Sequence, residues 1–259
     1  MPALSGRSAL VTGAARGIGR AIALALAAEG CKLTLVGRHA DTLEDTASAC
    51  RNAGAEDVRC VALDLTDRAA LATFCRDEVA AFDVLVNNAG CAPSAPIERH
   101  SDEDWDASME LNAYAPFALC RAALPAMVER GRGRIVNIAS SAALQGYAFV
   151  AGYTASKHAL LGLTRALAEE LVRRHKDADV TVNAVCPGFV DTEILDETVQ
   201  RVVKARGCTA EDARASLGKM NKGGRLITPD EVAATVAKLV LEDPGVTRGA
   251  AVELDGTPL

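Results

Sequence analysis

The chain has 259 residues, a net charge of −6 and an isoelectric point near 5.3, with 49% hydrophobic and 24% charged residues. That balance is ordinary for a globular protein, and the acidic charge argues against a nucleic-acid binder, whose footprint is a basic patch. Aromatics make up only 3%, so the core has to be built from Ala, Val, Leu and Ile.

From the N-terminus, "SALVTGAARGIGRAIALALAAEG" reads as a buried strand, a glycine-rich turn and an Ala-rich helix ending near Gly30. "CKLTLVGR" is a second strand. "ADTLEDTASACRNAG" is a helix capped by Asp41 and stopped by Gly54, "VRCVALDL" a third strand, "TDRAALATFCRDEVAAF" a helix and "DVLVNNAG" a fourth strand. One long helix is predicted over 102–129, then the strand "GRIVNIASS", a helix over 153–175 and the strand "VTVNAVCPG". A less regular region at about 190–227 precedes the helix "TPDEVAATVAKLVLED" and a last strand, "GAAVELDG". The strands are continuously apolar and alternate with helices, the mark of a parallel sheet covered on both faces. No linker or repeat divides the chain. The expectation is one doubly wound, Rossmann-like α/β domain over 1–259.

No apolar stretch approaches the roughly 18–20 residues of a membrane-spanning helix. The segment "MPALSGRSALVTG" lacks the basic region and long apolar run of a signal peptide. A cytoplasmic protein without a membrane or nucleic-acid partner is expected. Its eight cysteines form no C-x-x-C pair and sit singly in apolar stretches, so they read as packing residues, Cys91 and Cys186 included, and no metal site is expected.

Gly13, Gly17 and Gly19 fall between the first strand and the first helix. A dinucleotide pyrophosphate needs close backbone approach and free amides at a helix N-terminus, and this turn can supply both. A tight turn with close helix packing is the plain alternative. The end of the second strand distinguishes the cofactors. An NAD site offers a carboxylate there to the adenosine ribose. This chain has Arg38, with Arg16 inside the glycine turn. Two guanidiniums suit a 2′-phosphate through forked, charge-assisted bonds. NADP(H) is therefore expected over NAD(H), with Asp41 on the ribose as the rival arrangement.

In "GYTASKHALL", Tyr153 and Lys157 stand at i and i+4, neighbours on one helical face. An ammonium beside a phenol should lower its pKa from about 10 toward the working range of an acid/base. Ser140 lies at the C-terminal end of a strand, where open α/β sheets bind ligands, and its hydroxyl could hold a substrate oxygen. Ser141 is a second hydroxyl beside it.

Seven pieces in order, "TGAARGIG" (12–19), "LDL" (63–65), "NNAG" (87–90), Asn112 in "ELNAYAPF", Ser140 in "IVNIASS", "YTASK" (153–157) and "PGFVDT" (187–192), resemble the short-chain dehydrogenase/reductase superfamily over essentially the whole chain. The resemblance implies strand order 3-2-1-4-5-6-7 and a nicotinamide cofactor. It implies that Gly13, Arg16, Gly17, Ile18 and Gly19 hold the phosphates, Asp64 and Leu65 the adenine, and Asn87, Ala89 and Gly90 line the channel. Pro187, Gly188, Val190 and Thr192 would sit by the nicotinamide. It makes Tyr153 the acid/base, Lys157 also the holder of the nicotinamide ribose, Ser140 the substrate-oxygen ligand and Asn112 part of a proton relay through water. The pocket wall would be Ala142, Leu144, Gln145, Tyr147, Phe149 and Phe189, with Gln145 a specificity hydrogen bond. Region 190–227 would be a substrate lid with glycine hinges. Its cations Arg201, Lys204, Arg206, Lys219, Lys222 and Arg225 could greet an anionic thioester, with a solvated amphipathic helix pair as the plain alternative. The chain is closest in style to 3-oxoacyl-thioester reductases acting on CoA or carrier-protein substrates. Reductases of cyclic or small ketones share the motifs. A silent NADP-binding sensor is the rival of another class. Family members commonly pair through the helices at 102–129 and 153–175, so a homotetramer or homodimer is expected.

Overall fold

The computed structural model describes residues 2–242 and 247–257. Seven strands, β1 (Ser8–Thr12), β2 (Lys32–Gly37), β3 (Val58–Ala62), β4 (Val84–Asn87), β5 (Arg132–Ile138), β6 (Asp179–Pro187) and β7 (Ala251–Leu254), form one parallel sheet in the order 3-2-1-4-5-6-7. The strand order and the doubly wound architecture are those expected.

The continuous apolar runs have a simple cause. Successive strand residues point to opposite faces, and here both faces are buried. Ala9 and Val11 of β1, Val84 and Val86 of β4, and Val136 and Ile138 of β5 pack into one core. Helices α1 (Gly17–Ala28), α2 (Ala40–Ala53) and α9 (Pro229–Leu241) complete it with Ile22, Leu26, Leu43, Ala47, Val236 and Leu239. The intervening Leu10, Leu85 and Ile135 enter the opposite core with α3 (Arg68–Asp77), α5 (Ala115–Glu129) and α6 (Ala151–Arg174). The chain begins at β1, winds outward to β3, then crosses back to β4 beside β1. That reversal opens a crevice at the C-terminal strand ends.

Three local expectations are corrected. The helix over 102–129 is not continuous: α4 (Asp102–Met109) and α5 are joined by a π-helical turn, Glu110–Tyr114, centred on Asn112. Asp41 does not cap α2; His39 is the N-cap residue and Asp41 lies exposed in the first turn, while Gly54 does end the helix in the left-handed conformation. Region 190–227 is largely regular. It contains α7 (Glu193–Arg206) and α8 (Ala210–Gly218), which bury Leu195, Val199, Ala213 and Leu217 against each other. Their apolar residues fall at helical spacing among many charges, and that mixture masks the periodicity. The helix over "TPDEVAATVAKLVLED" starts with a Thr228/Glu231 capping box; Asp243 at its expected end lies outside the described residues. Among the described residues, no helix is long and apolar enough to cross a membrane.

Candidate active site

A cleft of about 1120 Å³ opens at the C-terminal edge of the sheet. One end is the turn between β1 and α1. A Cβ on Gly13, whose φ is +64°, would lie 2.9 Å from the Ala89 Cα, and one on Gly19 would collide with the Gly13 carbonyl. The glycines thus let strand, turn and helix close on one another. Helix α1 has no side-chain cap on its N-terminus and no acidic residue in its first turn. Its leading amides keep a positive potential facing the cleft. Arg16, Arg38, His39 and Thr42 line the same end, and neither Arg16 nor Arg38 makes a salt bridge among the described residues. Asp41 does not reach it. Asp64 and Leu65 form the neighbouring wall. The Asp64 carboxyl is held below its usual range by bonds from the Thr66 amide and hydroxyl, with a smaller contribution from Arg38.

The other end gathers Ser140, Tyr153 and Lys157. Ser140 follows β5; its Oγ accepts from the Ala142 amide at 3.1 Å, and it lies near enough to the Tyr153 phenol to favour that group's charged form. Ser141 pairs with the Tyr147 hydroxyl at 3.0 Å. Lys157 is 5% exposed; its Nζ donates to the Ile138 carbonyl at 2.7 Å and stands 5.7 Å from the centre of the Tyr153 ring. The expected lowering of the Tyr153 pKa is not found. Burial raises it, and the nearby Ser140 hydroxyl offsets only part of the rise. Burial also pushes Lys157 down, to about 8. Spacing placed the two groups together, but desolvation disfavours the charged form of each.

Most of the expected residues line this cleft: Ile18, Gly90, Pro187, Gly188, Val190 and Thr192 along the cofactor path, and Ala142, Tyr147, Phe149 and Phe189 at the far end. Four do not. Asn87 is 3% exposed and turned into the sheet, donating to Asn137 Oδ1 at 2.8 Å, because the last residue of β4 alternates away from the cleft. Asn112 is fully buried. Its Oδ1 accepts from the Cys91 amide, and its Nδ2 donates to the Cys91 carbonyl and to Ser156 Oγ. Ser156 in turn donates to the Tyr153 carbonyl, so Asn112 braces the first turn of α6. Leu144 and Gln145 are exposed outside the cleft, although Gln145 reaches the Tyr147 hydroxyl.

Two residues that hold the cleft's walls in place were not foreseen. Asn88, the neighbour of Asn87, lines the cleft and donates to the carbonyls of Thr12 and Gly13, tying the glycine turn to β4. Alternation past the strand end is the signal that could have selected it. Asn221, 6% exposed, accepts from the Phe189 amide and donates to the Phe189 and Arg225 carbonyls, holding segment 187–190 in place. Its partner Phe189 lies 32 residues away, and no local pattern marks it.

Helices α7 and α8 cover the far end with Thr192, Ile194, Leu195, Thr198, Leu217 and Met220. Of the cations expected there, only Arg201 lines the cleft, bonded to the Ser94 carbonyl and Thr198 Oγ1. Lys222 pairs with Glu253 and Arg225 with Glu231, away from it. Phe149 at the mouth is 61% exposed and has φ +70°, a strained conformation for a bulky residue. Burial raises the Cys91 and Cys186 thiols, Cys186 to about 11, which keeps both protonated near neutrality. Among the described residues no cluster of His, Cys, Asp and Glu could hold a metal.

The family model for short chain dehydrogenases matches residues 7–202. The chain belongs to the short-chain dehydrogenase family. It is 35% identical over 257 residues to D-beta-hydroxybutyrate dehydrogenase of Cupriavidus necator, covering 98% of each chain. It is 34% identical over 254 residues to the 3-oxoacyl-[acyl-carrier-protein] reductase of Escherichia coli, covering 97% of this chain and 96% of the relative. Among solved structures it is similar to a variant of actinorhodin polyketide ketoreductase with NADPH, with TM-score 0.86, 36% identity and 96% coverage of both chains. Membership makes this chain an oxidoreductase acting on hydroxyl and carbonyl groups.

Proposed function

We propose that the protein reduces a ketone to a secondary alcohol with NADPH, or runs the reverse, with Tyr153 as acid/base. The observation that carries this reading is one continuous cleft with a phosphate cradle at one end and the Ser140–Tyr153–Lys157 group at the other. The residues present fit the dinucleotide. The glycine turn leaves room that a Cβ would fill, the first turn of α1 carries no acid, and Arg16 and Arg38, in no salt bridge among the described residues, offer charge to a 2′-phosphate. When bound, NADPH would supply the hydride for the carbonyl carbon.

The chain's own residues do the rest. Tyr153, kept protonated by burial, donates its proton to the carbonyl oxygen. The Ser140 hydroxyl holds that oxygen as negative charge develops. Lys157 stabilises the phenolate left behind and offers its ammonium to the nicotinamide ribose. Asn112 acts by bracing Tyr153 and Cys91, and its tie to this first turn is what a water relay would depend on.

For substrate we take a 3-oxoacyl thioester on CoA or a carrier protein, supported by the similarity to the 3-oxoacyl reductase. A cyclic or small ketone is the second reading, favoured by the apolar mouth of Phe149, Ile194 and Met220. Helices α7 and α8 serve as the lid. The protein is read as cytoplasmic, with all eight cysteines free, and as a homodimer or homotetramer built on α4–α5 and α6, where Trp105, Phe117 and Val172 are exposed.

Loss of NADPH absorbance with a ketone panel and acetoacetyl-CoA tests the reading. Tyr153→Phe is expected to cut turnover by about 10²–10⁴-fold, with NADPH binding nearly intact. Activity within a few-fold of wild type would remove Tyr153 as proton donor. Absence of turnover on every ketone would leave the cofactor-binding sensor instead.

A further inference from the structure

Helix α7 covers the substrate end of the cleft, and its first turn also reaches the phosphate end. Its first residue, Glu193, lines the cleft. A Cβ on Gly17, the first residue of α1, would lie 3.3 Å from Thr192 Cγ2 and 3.5 Å from Glu193 Oε2. The N-termini of α1 and α7 therefore meet at one carboxylate. The neighbouring acids are placed differently. Asp191 and Asp196 both pair with Arg214 and lie outside the cleft.

An acid in the first turn of a helix complements that helix's own dipole, and this accounts for an acid at the start of α7. It does not account for the carboxylate lying against the first residue of a second helix. There it stands beside the uncapped start of α1 and Arg16, the groups that would receive a pyrophosphate. The carboxylate supplies one negative charge to that positive helix end. A diphosphate seated on the same amides brings further negative charge, and the two repel across a cleft that water screens only in part. Helix α7 also carries Ile194, Leu195, Thr198 and Arg201 along the substrate end. A displacement of its first turn therefore moves the substrate wall.

Resting on the dinucleotide reading of the cleft, we propose that Glu193 is a built-in competitor for the pyrophosphate seat: its carboxylate serves as the anion at the α1 N-terminus, and NADPH displaces it together with the first turn of α7. The contact holds NADPH affinity below what the cradle alone would give, and it ties the lid to the state of the cofactor site. By linkage, a substrate that favours the displaced position of α7 tightens NADPH by the same factor by which NADPH tightens that substrate. Glu193 takes no part in hydride or proton transfer.

The test titrates the wild type and Glu193→Gln with NADPH, followed by fluorescence, and with adenosine 2′-monophosphate, which lacks the pyrophosphate, followed by calorimetry. Glu193→Gln is expected to bind NADPH about threefold to tenfold more tightly at low salt, the effect of one charge at a helix end or somewhat more. The gap should close toward about 1 M salt, where the Debye length is about 3 Å. Adenosine 2′-monophosphate should bind both proteins equally. Glu129→Gln, at the end of α5 on the opposite edge of the sheet, removes the same charge and should leave NADPH affinity unchanged. In the wild type, NADPH but not adenosine 2′-monophosphate should alter hydrogen exchange in the first turn of α7. Melting without ligand reports the fold, and should Glu193→Gln not fold, Glu193→Ala decides. Unchanged or weaker NADPH binding by the neutral variant, an equal gain for adenosine 2′-monophosphate or for Glu129→Gln, or unaltered exchange in α7 would overturn the proposal while leaving ketone reduction intact. A wild-type protein that binds no NADPH would remove the cofactor reading beneath it.

Discussion

The Tyr153 phenol sits half-buried on the first turn of α6 in the cleft, and its desolvation there raises its pKa above the ordinary value of 10. A protonated phenol suits carbonyl reduction, whereas alcohol oxidation needs the phenolate. Oxidation kcat/KM should therefore climb steadily from pH 7 to pH 10, while reduction stays level over the same range. A rising reduction limb would contradict this. Lys157 is displaced in the opposite sense, from 10.5 to about 8. Between those two values the unfolded chain binds more protons than the folded one, so folding stability from this residue rises with pH. Below about 8 the folded protein carries the cost of a buried ammonium. Lys157→Met removes that cost and should melt higher than wild type at pH 7, with the gap narrowing by pH 10. The Tyr153 shift is common to both proteins and cancels in the difference. A gap independent of pH would show that Lys157 is not desolvated.

At the level of elements, the β1 turn and α1 form one unit with β4. Asn88 donates to Thr12 and Gly13 carbonyls, and Thr12 Oγ1 accepts from the Asn88 and Ala89 amides. Gly19 sits on the first turn of α1 with the Gly13 carbonyl where its Cβ would be. Gly19→Ala must push the helix away from the strand, at a cost of about 1–3 kcal/mol or more for overpacking. It should lower the melting temperature and weaken NADPH binding at least tenfold; unchanged affinity in titration would show that helix–strand contact does not shape the cradle. The spacing of Gly13, Gly17 and Gly19 made this unit readable. The π-turn at Asn112 was not readable, because Glu110–Tyr114 has the composition of an ordinary helix. What stabilises it is a set of bonds to Cys91 and Ser156, distant in the chain.

Across the whole molecule the cleft draws on both halves of the sheet, with Arg16, Arg38 and Asp64 from the β1–β3 side and Ser140, Tyr153 and Pro187 from the β4–β7 side. A ligand bridging both halves stabilises the folded chain as a whole. At a concentration 100 times its dissociation constant it adds about 2.7 kcal/mol, or about 5–10 °C in melting temperature for a chain of this size. NADPH should give a clear rise, and NADH at equal concentration a distinctly smaller one. Arg38→Asp should erase the difference. Equal shifts from the two cofactors in the wild type would remove the 2′-phosphate role of Arg16 and Arg38.

The order of strands and helices, the cradle glycines, Arg38, and the Ser140, Tyr153 and Lys157 positions follow from the amino-acid sequence alone, because local periodicity and short motifs encode them. Tertiary structure alone decided which of Asn87 and Asn88 faces the cleft, how α7 and α8 close over it, and how Gln145, Tyr147 and Ser141 join into one chain. It also reversed the expected state of the phenol. Each of these depends on burial and on partners brought from elsewhere in the chain, and the free energy of removing a charge or a polar group from water is set by the whole surrounding fold rather than by its neighbours in sequence.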